Sequence, residues 1–445
     1  MGERLTRRTE CVDIGCRSIA ETGNHGLVHA MRRRWVQRSL WSEKLYVFVF
    51  VVVMTACRSD SKPVGPDVSR INLSLDQVIF TQVAQDDRGS LPLVAGVPAA
   101  AKVAVVRTVE TVEEVAVVLR LFRGGELVHT DTARTGGVLS PSRSLVNASA
   151  EFLVPGALVA PDVSWQVVLD PLQRAEDSTR ADNVLPLRSP APLQVVELRP
   201  IRIRLVPVVL TMHGGVTGDV TTELAEAYVR LARQLYPSQQ FTVSVGAPVR
   251  SAALVGAPPV GGDRGFWLHV LGDVDQARMG ANAGDEFWYG VVTGPAGYER
   301  FTFGGFAYIP TDRLSTQSST RSAAGLGLTS ASGMRSAQFL FAHELGHLFG
   351  RSHAPGCAAL APIDSLYPGE TGSIFGLGHD VWSWAGGLAR GASSVGADAI
   401  DVMSYCLGQT VWIAPYTHLN LLRWRAVNGV VAKQAPLDRP PVAMP

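Results

Sequence analysis

Residues 343–353 read HELGHLFGRSH, which follows the pattern H-E-x-x-H-x-x-G-x-x-H. Two histidines four positions apart lie on one face of a helix, so the imidazoles of His343 and His347 can point at a single metal ion. Gly350 tolerates the left-handed backbone conformation that ends a helix, which allows the chain to bring His353 back as a third ligand. Three protein ligands leave one tetrahedral position open, and this is typical of a catalytic zinc site.

Glu344 follows the first predicted ligand directly. Its carboxylate can reach water at the open metal position without being a ligand, so Glu344 is the candidate general base. The alternative is a helix whose histidines are ordinary core or surface residues. Five constrained positions within eleven residues make such a chance match rare.

A second motif lies downstream, where residues 401–405 read DVMSY. Together with the histidine motif, it resembles the methionine turn of the metzincin clan of zinc metallopeptidases. The resemblance implies that Met403 forms an apolar floor beneath the three histidines. Tyr405 matches the M-x-Y pattern of the astacin-like and serralysin-like branches, in which the phenol lies near zinc and can help to stabilise the tetrahedral intermediate. Ordinary core packing is the alternative for both side chains.

The chain departs from the patterns of the individual branches of the clan. The residue after the third histidine is Ala354, where astacins and adamalysins have an acidic residue and serralysins have a proline. The segment between the two motifs is also long and rich in glycine and tryptophan. The resemblance covers about residues 200–430; it implies peptide-bond hydrolysis but assigns no branch, and hence no substrate preference.

Two cysteines, Cys357 and Cys406, each follow one of the two motifs. If the fold is metzincin-like, the turn with Met403 packs under the metal, and the two thiols can then meet in a disulfide. Such a bond closes a loop of about fifty residues and contributes about 4 kcal/mol in the chain-entropy account. The alternatives are two unpaired buried thiols or one thiol that binds the metal.

Residues 31–57 are predicted to be an export signal. Met31 is followed by three arginines, and an apolar stretch then runs over residues 45–56. This stretch has the length of a signal-peptide core and is too short to span a bilayer comfortably. Residues 1–30 have no evident role, which favours a translation start at Met31. An uncleaved signal anchor is the alternative.

The sequence MTAC at residues 54–57 resembles the lipobox of bacterial lipoproteins. The resemblance implies that Cys57 carries a lipid after cleavage and that residues 58–67 tether the anchor to the first domain. We therefore expect the protein in the cell envelope, held to the membrane by its lipid on the periplasmic or cell-surface side. Without the anchor it is expected to be secreted.

The length of 445 residues allows two or three globular domains. Hydrophobic residues make up 46% and charged residues 18%, which is enough apolar material for large cores. A formal net charge of +1 leaves no basic excess to neutralise phosphates, and this argues against a nucleic-acid partner. The expected partner is a protein or peptide substrate, and the chain is expected to be a monomer.

Residues 68–199 are predicted to form an all-β domain of the immunoglobulin-like sandwich type. Alternating apolar residues predict strands around residues 102–107, 115–122 and 164–169, with a turn at residues 123–126. No group of residues in this domain suggests chemistry. Binding, spacing and partial occlusion of the catalytic site all remain open as its role.

Residues 200–432 are predicted to form an α+β, metzincin-like zinc peptidase domain, followed by a tail at residues 433–445. Strands are predicted at 201–205, 241–245, 267–271, 287–292 and 305–309, and helices at about 224–235 and 334–349. Asp219 or Thr221 is the expected cap of the first helix. The strand near residues 306–309 is either a sheet edge that binds an extended peptide or an ordinary internal strand.

The function predicted from these motifs is that of an exported, lipid-anchored, zinc-dependent endopeptidase. Two alternatives remain open. The first is a surface-binding lipoprotein with a vestigial peptidase domain, and the second is a zinc amidase that acts on cell-wall peptides. The remaining histidines of the second domain are expected to be structural, namely His213, His269, His379 and His418.

Overall fold

The computed structural model describes residues 9–12, 15–18, 71–112, 114–136, 138–139, 148–255, 263–295, 304–310, 321–329, 334–357, 359, 362–386, 394–406 and 410–429. The predicted export signal with Cys57, the tether and the C-terminal tail lie outside these residues. The first two strands, β1 (Thr9–Val12) and β2 (Gly15–Ser18), pair antiparallel. No helix within the described ranges has both the length and the apolar character of a membrane span.

The regular elements in the described part of residues 71–196 are strands and two 3₁₀ turns. The strands are β3 (Leu73–Thr81), β4 (Ala84–Gln85), β5 (Leu93–Val94), β6 (Ala99–Arg107), β7 (Thr111–Val112), β8 (Ala116–Arg123), β9 (Glu126–Arg134), β10 (Val138–Leu139), β11 (Ala150–Val154), β12 (Val163–Leu169), β13 (Val184–Leu185), β14 (Ala191–Pro192) and β15 (Val195–Val196). The turns are Gly156–Leu158 and Arg180–Asp182. The predicted all-β character of this region is therefore confirmed, whereas its immunoglobulin-like assignment stays a prediction.

Two antiparallel sheets of this region share one hydrophobic core. One sheet has the strand order β11-β6-β3, and the other has the order β13-β12-β8-β9 with β14 also paired to β12. Alternate residues of β8, such as Leu119 and Leu121, point into this core together with Val103 of β6. Gly124 and Gly125 join β8 to β9, and both have the positive φ that a two-residue hairpin turn requires, so the predicted turn is confirmed.

The second part of the chain, from residue 201, contains strands, five α-helices and one 3₁₀ turn among its described residues. The strands are β16 (Ile201–Leu210), β17 (Val216–Thr217), β18 (Phe241–Val245), β19 (Val249–Ser251), β20 (Phe287–Val292), β21 (Gly305–Ala307), β22 (Ser322–Leu326), β23 (Leu377–His379), β24 (Ser394–Val395), β25 (Ile400–Asp401) and β26 (Val411–Trp412). The helices are α1 (Ala225–Leu235), α2 (Asp263–Gly280), α3 (Met334–Leu348), α4 (Val381–Ala385) and α5 (Pro415–Gly429), and the turn is Thr211–His213.

A mixed sheet organises this second part. Its strand order is β17-β16-β20-β22-β21, and β18 and β19 also pair with β16. Strands β18, β16, β20 and β22 are parallel, whereas β21 runs antiparallel to β22 at the edge. Helices α1 and α3 pack on one face of the sheet, and α2 packs on the other. The sheet therefore places α3, which carries the histidine motif, directly behind the edge strand.

The prediction of a strand at residues 267–271 is wrong, because these residues lie within α2. Trp267, Val270 and Val274 recur at helical spacing and are fully buried against the sheet. A short apolar run does not distinguish a strand from a buried helix face, and this ambiguity explains the error. His269 consequently lies on the exposed side of a helix and not within a strand.

The prediction that Asp219 or Thr221 caps the first helix is also wrong. Helix α1 begins at Ala225 without a side-chain hydrogen bond at its N-cap, Leu224. Asp219 instead accepts hydrogen bonds from the Tyr228 hydroxyl, at 2.7 Å, and from the Leu328 backbone N–H, at 3.1 Å. Asp219 therefore ties the loop after β22 to helix α1.

A buried ion pair lies where the two parts of the chain meet. Lys102 of β6 pairs with Glu151 of β11, and its ammonium also donates to Ser394 Oγ at 3.1 Å. Strand β4 pairs with β23 in the same region, and Trp412 Nε1 donates to the Val83 carbonyl at 2.7 Å. The first sheet and the second part of the chain are therefore joined by both backbone and side-chain contacts.

We expect Lys102→Ala to lower the free energy of unfolding by about 3–5 kcal/mol, because it leaves the Glu151 carboxylate buried without its cation. Denaturant titration of the purified variant measures this loss. The double variant Lys102→Met/Glu151→Leu removes both charges and should recover most of it. Equal losses in the single and double variants would contradict a buried ion pair.

Candidate metal centre

Helix α3 presents two histidines of the motif on one face. The predicted helix is confirmed, with its end at Leu348, one residue before the expected end. Phe341, Leu345 and Leu348 bury the opposite side of the helix in the core beneath the sheet. His343 and His347 are one turn apart, and their ring centroids are separated by 4.8 Å. The helical spacing alone is sufficient to bring these two rings together.

Gly350 ends the helix in the way that the sequence predicts. Its φ is +75°, and the backbone N–H groups of Gly350 and Arg351 donate to the carbonyls of His347 and Gly346. A Cβ added at position 350 would lie 2.8 Å from the Trp424 ring. Both the backbone conformation and the space therefore require glycine, and the resulting turn directs His353 back toward the helix.

The three histidines of the motif converge on one point. One nitrogen from each ring lies within 4.8 Å of the nitrogens from the other two, and all three residues are buried. The ring centroids of His353 lie 5.3 Å from His343 and 4.6 Å from His347. The predicted ligands His343, His347 and His353 thus form a triad that could hold a metal ion.

Backbone carbonyls orient two of these rings. Nδ1 of His343 lies 2.9 Å from the Val402 carbonyl, and Nδ1 of His347 lies 2.7 Å from the Arg351 carbonyl. Each Nδ1–H donates to its carbonyl, so each Nε2 keeps its lone pair for an ion. Nε2 of His343 is buried without a hydrogen-bond partner among the described residues. A buried nitrogen whose lone pair has no hydrogen-bond donor is suited to bind a metal ion.

Burial keeps His343 and His347 in the neutral form that metal binding needs. Burial away from solvent is the main cause that lowers the pKa of His343 to about 3, and the electrostatic effect of the neighbouring His353 is the second. Burial also holds the pKa of His347 well below its ordinary value, and the two other imidazoles add to this effect. Three neutral imidazoles are suitable ligands for zinc and also for copper, iron and nickel.

Glu344 lies between α3 and the edge strand β21. The residue is almost completely buried. A Cβ added at Gly305 of β21 would lie 2.8 Å from Glu344 Oε1 and 2.9 Å from the Ala324 carbonyl oxygen. Only glycine at position 305 therefore leaves room for the carboxylate. Nothing in the sequence around Gly305 indicates this role, because the close approach depends on how β21 lies against the helix.

The segment with Met403 passes beneath the histidine helix. Met403 is buried, and a Cβ added at Gly346 of α3 would collide with its sulfur. Tyr405 follows two residues later, with its hydroxyl oxygen 2.7 Å from Nε2 and 3.2 Å from Nδ1 of His353. Both residues are therefore next to the triad; their catalytic and structural roles remain predictions.

Asp401 holds this turn in place, a role that the sequence analysis missed. Its carboxylate accepts hydrogen bonds from the backbone N–H groups of Met403, at 2.8 Å, and Ala414, at 2.7 Å. Burial raises the pKa of Asp401 to about 6, although these hydrogen bonds favour the charged form. Because Ala414 directly precedes α5, the carboxylate connects the turn to this helix. An aspartate two residues before the methionine is the signal that could have indicated this contact.

A disulfide joins Cys357 to Cys406, as predicted, with 5.1 Å between the Cα atoms. It connects the segment after His353 to the residue after Tyr405. A backbone hydrogen bond from Ala354 N to the Met403 carbonyl, at 2.9 Å, runs beside it. The segment after His353 and the turn beneath the triad are therefore linked covalently.

Replacing both Cys357 and Cys406 by serine is expected to lower the free energy of unfolding by about 4 kcal/mol, because the unfolded chain regains the freedom of a loop of about fifty residues. Thermal melts with and without a thiol reductant measure this effect. The reductant should destabilise the parent protein and leave the double variant unchanged. Identical melts of the parent with and without complete reduction would contradict the prediction.

The remaining histidines of the second part lie outside the triad. His213 Nε2 accepts a hydrogen bond from the Val255 backbone N–H, and His269 is half exposed on α2. His379 and His418 are buried, and burial lowers the pKa of each to about 3. Among the described residues, the triad is the only group of three potential ligand residues that converge in this way.

Comparisons with known proteins provide only distant likenesses. No protein-family model matches the chain, and no curated protein matches it. Among solved structures, the metalloproteinase-II of Bacteroides fragilis is similar over 35% of this chain and 43% of its own, with 13% identity and a TM-score of 0.23. The CARDB domain of a Pyrococcus furiosus protein, in complex with di-metal ions, matches over 29% of this chain and 96% of its own, with 15% identity and a TM-score of 0.18.

A third likeness is to the β-glucuronidase of Parabacteroides merdae, over 49% of this chain and 29% of that chain, with 10% identity and a TM-score of 0.18. These scores are too low to assign a fold or an activity. The geometry of the triad itself is therefore the basis for assigning a function.

Proposed function

We propose that the chain is a zinc-dependent endopeptidase of the metzincin type. The observation that carries the proposal is the buried triad of His343, His347 and His353, with Glu344 next to it on the same helix. The edge strand and the turn with Met403 lie on two sides of this triad. This arrangement combines a three-imidazole metal site with a carboxylate that is not a ligand, which is the requirement of a hydrolytic zinc site.

The three histidines would hold the ion and leave one position for water and substrate. Zinc at this site would supply Lewis-acid polarisation of the scissile carbonyl and a lower pKa for water at the open position. Glu344 would accept the proton of the attacking water and transfer it to the departing amine. Tyr405 would donate a hydrogen bond to the developing oxyanion, a contribution of about 2.7–4 kcal/mol for one such donor.

Strand β21 provides a place for an extended peptide. Among the described strands, β21 pairs with β22 and stands at the end of the strand order. Glu344 lies directly behind this strand at Gly305. We propose that a peptide substrate adds to the edge of β21, because this position brings its backbone beside both the triad and the general base.

Cleavage of a proteome-derived peptide library by the zinc-loaded protein tests the proposal. We expect cleavage that is lost on chelation and restored by added zinc, and the cleaved sequences report the specificity. Stoichiometric zinc without cleavage of any peptide or protein would overturn the proposal and favour a surface-binding role. Cleavage of peptidoglycan but not of casein would instead indicate an amidase of cell-wall peptides.

We also propose that the protein is exported and anchored to the membrane by a lipid on Cys57. The support is the apolar stretch and the MTAC sequence at its end. Cell fractionation tests this localisation: the native chain should remain with membranes, and Cys57→Ala should abolish lipid attachment. A native chain that lacks lipid would contradict the proposal.

A further inference from the structure

Tyr289 carries a buried hydroxyl group next to the candidate metal centre. The residue lies on β20 in the middle of the sheet, and its ring packs against Phe341 of α3 with centroids 4.9 Å apart. The hydroxyl oxygen is buried and has no hydrogen-bond partner among the described residues. Buried hydroxyls are ordinarily hydrogen-bonded, so we expect this one to find a partner among the polar groups beside it.

Two glycines place this hydroxyl and the Glu344 carboxylate on the same side of the sheet edge. Gly305 of β21 and Gly325 of β22 are paired across the two strands. A Cβ at Gly325 would collide with the Tyr289 hydroxyl, and a Cβ at Gly305 would lie 2.8 Å from Glu344 Oε1. Because side chains of directly paired residues point to the same face, both polar groups lie over adjacent glycines.

The electrostatic environment keeps the hydroxyl protonated. Burial raises the pKa of Tyr289 well above its ordinary value, and the next cause in size is the negative charge of Glu344. The phenol therefore acts only as a neutral donor near this carboxylate. A donor of this kind can orient the carboxylate through one water molecule or after a small side-chain rotation.

We propose that Tyr289 is a positioning residue, whose hydroxyl donates the hydrogen bond that orients the Glu344 carboxylate during peptide hydrolysis. The inference rests on the proposed function of the triad. It extends that function by assigning a role to a residue in the interior of the sheet. The glycines at positions 305 and 325 are then required because they allow the carboxylate and the hydroxyl to approach each other.

Tyr289→Phe separates this role from a structural one. The substitution keeps the aromatic ring and removes only a hydroxyl that has no partner among the described residues. With the zinc-loaded full chain and a fluorogenic peptide selected from the library cleavage, we expect kcat to fall about 10-fold with KM within about two-fold of the parent. We also expect unchanged zinc content and a melting temperature of the metal-free protein that is equal to or above that of the parent.

Tyr228→Phe is the matched control. The Tyr228 hydroxyl is also buried, but it donates to Asp219 at 2.7 Å and accepts from Leu328 N at 3.1 Å. Its removal should therefore lower the melting temperature and leave kcat within about two-fold of the parent. Removal of a structural hydroxyl should thus lower the melting temperature and spare kcat, whereas removal of a positioning hydroxyl should lower kcat and spare the melting temperature.

The outcomes distinguish the two proposals. If the parent protein cleaves no peptide, the proposed function fails, and the inference about Tyr289 fails with it. If the parent is active and Tyr289→Phe has the same kcat, the inference alone fails. A loss of zinc or a lower melting temperature in Tyr289→Phe would also overturn the inference, because the hydroxyl would then be structural. An equal fall of kcat in Tyr228→Phe would overturn it as well.

Discussion

Replacement of Glu344 by glutamine is expected to lower kcat about 10³-fold while the protein still binds one zinc ion per chain. Glutamine keeps the shape of the side chain beside Gly305 but cannot accept the proton of the attacking water. The three imidazoles remain in place, so metal affinity should be unchanged. Steady-state kinetics on the fluorogenic peptide, together with metal analysis of the same samples, measures both quantities.

Glu226→Gln is the matched control for this variant. Glu226 is an exposed glutamate on α1 that pairs with Arg233, so its neutralisation should leave kcat unchanged. If Glu344→Gln retains the activity of the parent, another group must accept the proton, and the proposed role of Glu344 is wrong. A loss of zinc in Glu344→Gln would instead assign the carboxylate to metal binding.

Replacement of His343 by alanine is expected to weaken zinc binding by more than about 100-fold and to abolish peptide cleavage. Removal of a group that hydrogen-bonds to a metal ligand already weakens metal binding by about 10- to 100-fold, and removal of the ligand itself weakens it further. His343 is buried, and its Nδ1 is held by the Val402 carbonyl, so no other side chain can easily take its place. Titration of the metal-free protein with zinc in the presence of a competing chelator measures the affinity.

His269→Ala provides the control for histidine removal. This residue is half exposed on α2, with its ring 3.6 Å from Asp273 and outside the triad. Zinc affinity and cleavage should both equal those of the parent. An equal loss of zinc affinity in His269→Ala and His343→Ala would indicate that zinc binds nonspecifically to surface histidines, and the triad would then not be the metal site.

Local periodicity was sufficient for the parts of the site that lie close together in sequence. His343, His347 and Gly350 were predicted with their roles in the helix and the turn, because a helical repeat and a left-handed glycine are determined within a few residues. The same local reasoning failed for Trp267, whose apolar neighbours are compatible with either a strand or a buried helix face. Residue patterns therefore predicted α3 well and α2 poorly.

Contacts between distant residues became visible only with the fold. The disulfide between Cys357 and Cys406 was expected only as a consequence of the clan resemblance, and the structure shows it. The role of Asp401, which binds the backbone before α5, had no counterpart in the sequence reasoning. In each case the partners come together because the turn folds under α3, and no pattern within either segment contains that information.

The sequence by itself determined the three candidate ligands and the candidate general base, because their spacing follows from one helix and one turn. Only the tertiary structure decided what surrounds Glu344. Gly305 lies beside the carboxylate, and its paired residue Gly325 lies beside the Tyr289 hydroxyl, through the register of β21 and β22. A shift of β21 by one residue in that register would turn Gly305 to the other face of the sheet. Strand register depends on the packing of the whole sheet, which is why it cannot be deduced from the motif.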